Sequence, residues 1–120
     1  MVLNNYYLFF YSYIILEVII LEITFNELLK LNGPNIIDIR STEKYNDNHV
    51  LGAININYNL LVSNPGKYLD KNDIYYIYCQ RGITSKKVCG LLRSLGYNVY
   101  NVVGGYEAYI LKTTFVRENT

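Results

Sequence analysis

The sequence predicts an α/β domain in which a mostly parallel sheet is covered by helices on both faces. Three short segments, residues 35–40, 74–78 and 97–103, are rich in apolar and β-branched side chains and lack strict polar alternation. Segments with helix caps or helical spacing lie between them, as expected of β–α–β units with right-handed crossovers. A chain of 120 residues fits one domain with one hydrophobic core.

An apolar stretch, YYLFFYSYIILEVIIL at residues 6–21, precedes this pattern. A membrane span needs about 20 apolar residues, and Glu17 and Glu22 interrupt this one. A cleaved signal would need basic residues before the apolar run, whereas the first basic residue is Lys30. We therefore favour a hydrophobic extension, residues 1–22, that packs on the domain or results from a non-native start, with a membrane anchor as the alternative.

Composition argues against several classes of function. Hydrophobic residues make up 51% of the chain, which argues against disorder. The net charge is +1 and no long basic run is present, so we expect no nucleic-acid partner. Cys79 and Cys89 are ten positions apart, and this spacing fits neither a CxxC pair nor a zinc pattern. We expect no metal, no cofactor and no disulfide scaffold, and hence a reducing, cytoplasmic location.

The orderly part of the chain begins at residue 23 with a helix-capping signal. Thr24 is placed as an N-cap and Glu27 stands at the third helical position, the two partners of a capping box. A short helix is therefore predicted over residues 25–31. The Asn-Gly-Pro sequence at residues 32–34 ends it.

Two strands and a helix are predicted next. Residues 35–40, NIIDIR, are short, apolar and β-branched, which predicts a buried strand. Ser41 or Thr42 then caps a short helix that runs through Tyr45. Residues 51–56 predict a turn followed by a strand.

The following segment predicts a strand, a tight loop and a helix. A turn at residues 64–66 and a polar stretch lead to the apolar strand IYYIY at residues 74–78. Residues 84–95 predict a helix that Gly96 ends, because apolar residues recur at helical spacing at Val88, Leu91, Leu92 and Leu95. Ligands of parallel α/β sheets bind beyond the carboxyl ends of the strands, and Cys79 stands at that point.

A final strand and helix complete the predicted domain. The strand covers residues 97–103, and Gly104-Gly105 breaks it before a helix that begins near Tyr106. We predict that the domain spans residues 23–112 and that residues 113–120 form a C-terminal tail.

The loop after Cys79 has the features of an anion site. The following helix leaves its first N–H groups unpaired, and successive loop N–H groups form a cationic nest. Gly82 permits a tight turn and Arg81 adds a full positive charge. These features lower the pKa of a thiol, so we predict a Cys79 thiolate that needs no histidine base. The alternative is an inert free cysteine at a strand end.

Residues 23–111 resemble the rhodanese homology family in four segments that occur in the same order. The resemblance implies a three-layer rhodanese-like fold with a mostly parallel sheet of about five strands. The matching residues are Asp38-Ile39-Arg40; Tyr45, His49, Gly52, Ala53 and Asn55; Tyr78-Cys79 through Ser85; and Gly96-Tyr97 with Gly104-Gly105-Tyr106. Asn48 and Asn57 depart from the Gly and Pro that are usual in the family, at positions that bear little on chemistry.

The resemblance also implies a sulfurtransferase that carries sulfane sulfur as a Cys79 persulfide. The donor would be a small anion such as thiosulfate, a persulfide or a protein, and the acceptor cyanide, a thiol or a protein. Asp38 and His49 are implied as structural support, although a general acid or base is the alternative role for His49. The implied substrate-binding residues are Gln80, Arg81, Gly82, Ile83, Thr84, Ser85 and Arg40, of which Arg40 could instead only brace the loop.

Three residues of the helix after the loop have simpler interpretations. Cys89 falls on or near its apolar side, which indicates a core residue, with a resolving thiol as the alternative. Lys86 and Lys87 lie in its first turn, where cations oppose the helix dipole. They form a solvated face, or else attract an anionic donor or a protein partner.

Two other functions compete with sulfur transfer. Cysteine-dependent phosphatases and arsenate reductases carry Arg six positions after the cysteine to grip the oxyanion. Here that position is Ser85, so the loop lacks the group that phosphoryl transfer most needs. The second alternative is a non-enzymatic sulfur carrier or protein-interaction module, which an intact Cys79 does not distinguish from an enzyme.

Overall fold

The computed structural model describes residues 21–119. The apolar stretch predicted as an extension or anchor therefore lies outside the described residues, apart from Leu21. Within residues 21–119, no helix combines the length and the apolar character that crossing a membrane requires.

One sheet of five strands forms the centre of the molecule. The strands are β1 (Glu22–Ile23), β2 (Asn35–Asp38), β3 (Ile54–Asn55), β4 (Ile74–Tyr78) and β5 (Asn98–Val102). They lie in the order β1-β5-β4-β2-β3, and all four pairings are parallel. The prediction of a parallel α/β sheet of about five strands is confirmed, and β1 is a strand that the sequence did not predict.

Helices cover both faces of this sheet. They are α1 (Phe25–Leu28), α2 (Thr42–Asp47), α3 (Tyr58–Ser63), α4 (Ile83–Ser94) and α5 (Gly105–Glu118), with a 3₁₀ turn at Pro65–Lys67. Ile37 and Ile77 belong to the core under α3 and α4, whereas Ile36 and Tyr78 belong to the core under α1 and α5. Because neighbouring residues of one strand face opposite cores, the strands lack polar alternation.

The predicted capping box forms, but the helix behind it is shorter than predicted. Thr24 Oγ1 accepts a hydrogen bond from the Glu27 N–H (3.2 Å), and Glu27 Oε1 accepts one from the Thr24 N–H (3.4 Å). The helix ends at Leu28 rather than at Leu31. Residues 29–30 form a turn and residues 31–33 a bend.

Helix α3 is an element that the sequence pattern did not reveal. The Asn57 side chain accepts a hydrogen bond from the Asn59 N–H (3.1 Å) and so caps the helix. Leu61 on α3 is fully buried in the core. With six residues, α3 is too short to show apolar periodicity, and a lone Asn before it does not distinguish a helix cap from a turn.

Helix α5 continues to Glu118, so residues 113–118 are helical although they were predicted as a tail. The domain boundaries at residues 23 and 112 stay a prediction.

The start of α5 packs directly on the loop that follows β4. The Tyr106 N–H donates to the Cys79 carbonyl oxygen (2.9 Å), and the Glu107 N–H donates to the Gln80 carbonyl oxygen (3.0 Å). Gly105 has a φ of +61°. A Cβ atom there would overlap the Cys79 carbonyl oxygen and lie 2.8 Å from the Gln80 carbonyl group. Two helix N–H groups thereby hold the loop, and only glycine permits their close approach.

We expect Gly105→Ala to lower the free energy of unfolding by about 3 kcal/mol, because it combines backbone strain with a steric clash. Gly33→Ala is the matched control, since Gly33 has nearly the same φ (+60°) and a methyl group added there would have no neighbour within 4 Å. It should cost only about 1 kcal/mol. Urea denaturation of both variants measures the difference, and equal costs would contradict the close approach.

Candidate active site

Cys79 lies at the carboxyl end of β4, where its sulfur accepts hydrogen bonds from the loop. The N–H groups of Gly82 and Ser85 donate to Sγ at 3.1 and 3.3 Å. The Ser85 Oγ atom lies 3.2 Å from Sγ. The strand therefore places the sulfur within hydrogen-bonding distance of several donors that follow it in the chain.

Two opposing effects set the pKa of Cys79. Burial is the largest single effect and raises the pKa, because it penalises the charged form. Hydrogen bonds from the Ser85 hydroxyl and from the N–H groups of Ser85, Gly82 and Arg81 lower it. Together they outweigh burial, and the pKa of Cys79 falls below its ordinary value. The predicted activation of this thiol therefore comes from the Ser85 hydroxyl and three backbone N–H groups rather than from a histidine base.

Gly82 makes this loop geometry possible. Its φ is +87°, in the left-handed region. A Cβ atom on Gly82 would lie 2.9 Å from the Gly104 nitrogen, so the loop also packs closely against the start of α5.

A cavity of about 430 Å³ opens above Cys79. Its lining residues are Ile39, Arg40, Ser41, Lys44, Cys79, Gln80, Arg81, Ile83 and Thr84. Three of them, Arg40, Lys44 and Arg81, are cationic, and the lining contains no acidic side chain among the described residues. The cavity therefore suits an anionic ligand.

The structure brings together most of the residues that were predicted to bind substrate. Gln80, Arg81, Ile83 and Thr84 line the cavity, and the last three of these are exposed to solvent. Gly82 and Ser85 lie beneath the sulfur instead and contact it from the loop. These two act on Cys79 itself rather than on the cavity.

Lys44 and Ser41 are cavity residues that the sequence did not reveal. Both belong to the start of α2, where Ser41 caps the helix by accepting a hydrogen bond from the Lys44 N–H (3.3 Å). No motif links α2 to the cysteine loop. Only the pairing of β2 with β4 places the two segments side by side.

Arg40 is held in place by protein groups. Its Nη2 atom lies 2.7 Å from Asp38 Oδ2 and donates to the Asn48 carbonyl oxygen at 2.7 Å. Its Nη1 atom donates to Gln80 Oε1 (3.2 Å), and its guanidinium lies 4.0 Å from the centre of the Tyr106 ring. Arg40 is 7% exposed. This geometry favours a bracing role, with its charge still facing the cavity.

Asp38 is fully buried and supports the site from below. It accepts hydrogen bonds from the Arg40 N–H (2.8 Å) and from the Tyr78 hydroxyl (2.6 Å). Asp38 therefore binds the backbone N–H of Arg40, and it supports the cysteine loop through the Arg40 and Tyr78 side chains. Burial and the bond to Asp38 raise the pKa of Tyr78, so its hydroxyl stays protonated as a donor.

His49 lies in a structural arrangement. Its Nδ1 atom is 2.8 Å from the Tyr45 carbonyl oxygen, and its ring stacks on the Tyr45 ring with centroids 3.8 Å apart. It does not line the cavity above Cys79.

Ser85 occupies the position at which a phosphatase loop carries arginine. Its side chain is fully buried and points away from the cavity, where Oγ lies 2.5 Å from Asn101 Oδ1. An oxyanion in the cavity would thus meet no guanidinium from this position.

Cys89 lies on the core-facing side of α4, as predicted. It is 6% exposed, and burial, followed by the nearby Cys79 and Glu22 charges, raises its pKa to about 12. Both cysteines are free thiols. Lys86 forms an ion pair with Glu22 (3.1 Å), and Lys87 is exposed.

Comparison with known proteins is consistent with this site. The family model described as "Rhodanese-like domain" matches residues 24–112. The thiosulfate sulfurtransferase GlpE of Coxiella burnetii is 31% identical over 84 residues, which cover 69% of this chain and 78% of that protein. The adenylyltransferase and sulfurtransferase uba4 of Ogataea parapolymorpha is 30% identical over 70% of this chain, but over only 22% of its own length.

A solved structure shows the same architecture. The human single-domain sulfurtransferase TSTD1 aligns with a TM-score of 0.69 and 26% identity, over 77% of this chain and 96% of that one. The family match covers well over half of the chain and includes every residue of the cysteine loop. Together with the five-stranded parallel sheet, it shows that this chain belongs to the Rhodanese-like domain family.

Proposed function

We propose that this protein is a sulfurtransferase that carries sulfane sulfur as a persulfide on Cys79. The observation that carries the proposal is the placement of the Cys79 sulfur, which is ringed by loop donors beneath a cationic cavity. Several relatives are named thiosulfate sulfurtransferases, which supports the same general activity. A thiolate that accepts hydrogen bonds is both a nucleophile and a leaving group, as a relay requires.

Loading begins with attack by the Cys79 thiolate on the sulfane sulfur of the donor. With thiosulfate, the new bond joins Sγ to that sulfur, and the sulfur–sulfur bond of thiosulfate breaks. Sulfite leaves with the electron pair of that bond. The product is a Cys79 persulfide whose negative charge lies on the outer sulfur, next to the loop N–H groups and the cations of the cavity.

Unloading reverses the roles of the two sulfur atoms. An acceptor nucleophile such as cyanide or a thiolate attacks the outer sulfur, and Sγ leaves as thiolate. With cyanide the product is thiocyanate. No net oxidant or reductant is consumed in this cycle with thiosulfate and cyanide, so the loop needs only to stabilise an anion at each stage.

The charge of the cavity favours an anionic donor. Lys44 and Arg81 are exposed at its rim, and Arg40 lies within its wall. Cations around a concave site attract anions and raise their association rate. Thiosulfate fits this description, and so does a persulfide ion.

A protein donor or acceptor is the second candidate. Uba4, whose name includes both adenylyltransferase and sulfurtransferase, contains a segment similar to this chain. Two exposed apolar residues offer contacts to a protein: Ile83, which starts α4 and lines the cavity, and Leu51, which follows α2 in the sequence. A reducing cytoplasm, which we propose from the free thiols, would keep Cys79 available to either class of partner.

Thiosulfate treatment should add one sulfur atom, about 32 Da, to the intact protein by persulfide formation. We expect Cys79→Ser to abolish the gain, because it removes the nucleophile. Cys89→Ala should retain the gain, since Cys89 is buried and has a raised pKa. Intact-mass spectrometry of the three folded proteins is the test. A sulfur adduct that follows Cys89 instead of Cys79 would sink the proposal. Replacing thiosulfate with a persulfidated protein then distinguishes the two donor classes.

The rate of Cys79 alkylation should rise with pH along a titration curve whose midpoint lies below that of an ordinary thiol, about 8.5. The sign follows from the lowered pKa, since the reactive thiolate persists to lower pH. Iodoacetamide labelling, followed by mass spectrometry of the Cys79 peptide, gives the midpoint. In urea-unfolded protein the midpoint should move up to the ordinary value. Identical midpoints in folded and unfolded protein would show that the loop does not activate the thiol.

Lys44→Ala should raise the KM for thiosulfate about three- to tenfold while leaving kcat nearly unchanged, because it removes a cation that attracts the donor and does no chemistry. The effect should shrink as salt screens the charge. Lys87→Ala is the matched control, as it removes an exposed lysine that does not line the cavity. Steady-state kinetics with cyanide as acceptor measures both variants. Equal effects on KM would assign the attraction to net charge rather than to the cavity.

A further inference from the structure

A line of polar side chains runs from the back of Cys79 to the protein surface. Ser85 Oγ lies 3.2 Å from the Cys79 sulfur and 2.5 Å from Asn101 Oδ1. Asn101 Nδ2 donates to Glu22 Oε2 at 2.9 Å, and Glu22 Oε1 pairs with Lys86 Nζ at 3.1 Å. Ser85 and Asn101 are 0% and 2% exposed, so water does not compete for their hydrogen bonds.

The neighbours of Asn101 fix the orientation of its amide. Its Nδ2 atom faces the Glu22 carboxylate and, at 3.4 Å, the Gly82 carbonyl oxygen. Both of these groups only accept hydrogen bonds. The amide oxygen must therefore face Ser85, where it accepts a hydrogen bond from the hydroxyl and cannot donate one.

The Asn101 amide oxygen and the Cys79 sulfur consequently compete for the one hydrogen bond that the Ser85 hydroxyl can donate. When Ser85 donates to Asn101, a lone pair of its Oγ faces the Cys79 sulfur, which suits a protonated thiol that donates in return. When Ser85 turns to donate to a thiolate, the buried Asn101 oxygen loses this hydrogen bond. Leaving a buried acceptor unpaired is costly. Donation by the Ser85 hydroxyl to the sulfur is one of the effects that lower the pKa of Cys79, and Asn101 competes for that hydrogen bond. The line of groups behind Cys79 therefore limits this part of its activation.

We propose that Glu22 and Asn101 are positioning residues that hold the Ser85 proton and thereby restrain the ionisation of Cys79. The persulfide escapes this restraint, because its charge lies on the outer sulfur, one bond farther from Ser85, and its uncharged Sγ does not need the Ser85 proton. The line of groups thus favours the loaded form over the free thiolate. The inference rests on the proposed role of Cys79 as the sulfur carrier.

Other charged or titratable groups surround Cys79 and stay in place in the test below. Arg40 faces it from the segment after β2, Lys44 from α2, Arg81 from its own loop, and the Cys89 thiol from α4. Lys86 on α4 is paired with Glu22 on β1. Asp38 is neutralised by Arg40.

The test is a mutant cycle read through the pKa of Cys79. Glu22→Gln presents a donor as well as an acceptor and leaves only the longer contact to the Gly82 carbonyl oxygen (3.4 Å) to orient the Asn101 amide. The amide therefore turns more readily and releases the Ser85 proton. Asn101→Leu removes the competing acceptor with little change in volume. We expect each variant to lower the midpoint of Cys79 alkylation by about half to one pH unit, which is the effect of one hydrogen bond.

Ser85→Ala supplies the control for a purely electrostatic effect. Glu22→Gln also removes a negative charge and frees Lys86, and both changes would lower the midpoint through space. We expect the shift to vanish when Glu22→Gln is combined with Ser85→Ala, because the hydroxyl that transmits it is gone. A through-space effect would persist in that background and would overturn the proposal.

An unchanged or raised midpoint in the Glu22→Gln variant would also overturn it. Glu22 is partly exposed at the edge of the sheet, so this variant gives an answer even if Asn101→Leu does not fold. Alkylation needs no sulfur donor. Failure of thiosulfate to load Cys79 would therefore count against the proposed function alone, whereas the mutant cycle tests the restraint by itself.

Discussion

The site depends on the ion pair and the hydrogen bonds that the buried carboxylate of Asp38 makes. This carboxylate lies at the end of β2 and binds the Arg40 guanidinium and the Tyr78 hydroxyl at the end of β4. Tyr78 in turn accepts a hydrogen bond from the Val50 N–H (3.1 Å), and Arg40 reaches Gln80 in the cysteine loop. Removing one partner of such a buried pair typically costs about 3–5 kcal/mol, because a charge is left uncompensated. Two strand ends and two loops are thus joined through one carboxylate.

The backbone of the cysteine loop activates the Cys79 thiol. The contacts of Asp38 and the start of α5 hold that backbone in place. The N–H groups of Gly82 and Ser85 face the sulfur at fixed positions, so these backbone donors do not move as charge develops on it. The N–H groups of Tyr106 and Glu107 donate hydrogen bonds to carbonyl oxygens on the other side of the same loop. The loop is therefore polarised, with its donors towards the sulfur and its acceptors towards α5. A reaction that passes a negative charge between two sulfur atoms requires that stable field.

The features that could be predicted from the sequence are those that depend on residues close together in the chain. The capping box of Thr24, the apolar strand IYYIY and the position of Cys79 before Gly82 follow from local chemistry, and the structure contains all three. Short β1 and α3 escaped because two to six residues carry no measurable period. Lys44 and Asn101 escaped for a different reason, since each reaches the site only through strand pairing. In the sequence, Asn101 resembles any polar residue of a strand, because its contact with Glu22 depends on the pairing of β5 with β1.

The two cysteines show how strongly position determines chemistry in this fold. Cys79 and Cys89 lie on one strand–loop–helix unit, and both are less than a tenth exposed. Burial raises the pKa of both thiols, but only Cys79 accepts hydrogen bonds from the loop. The same desolvation therefore leaves Cys89 protonated, whereas at Cys79 it strengthens the very donors that stabilise the anion. A reactive thiol and an inert one can thus share a core, because unpaired N–H groups at a helix start act over a few ångströms only.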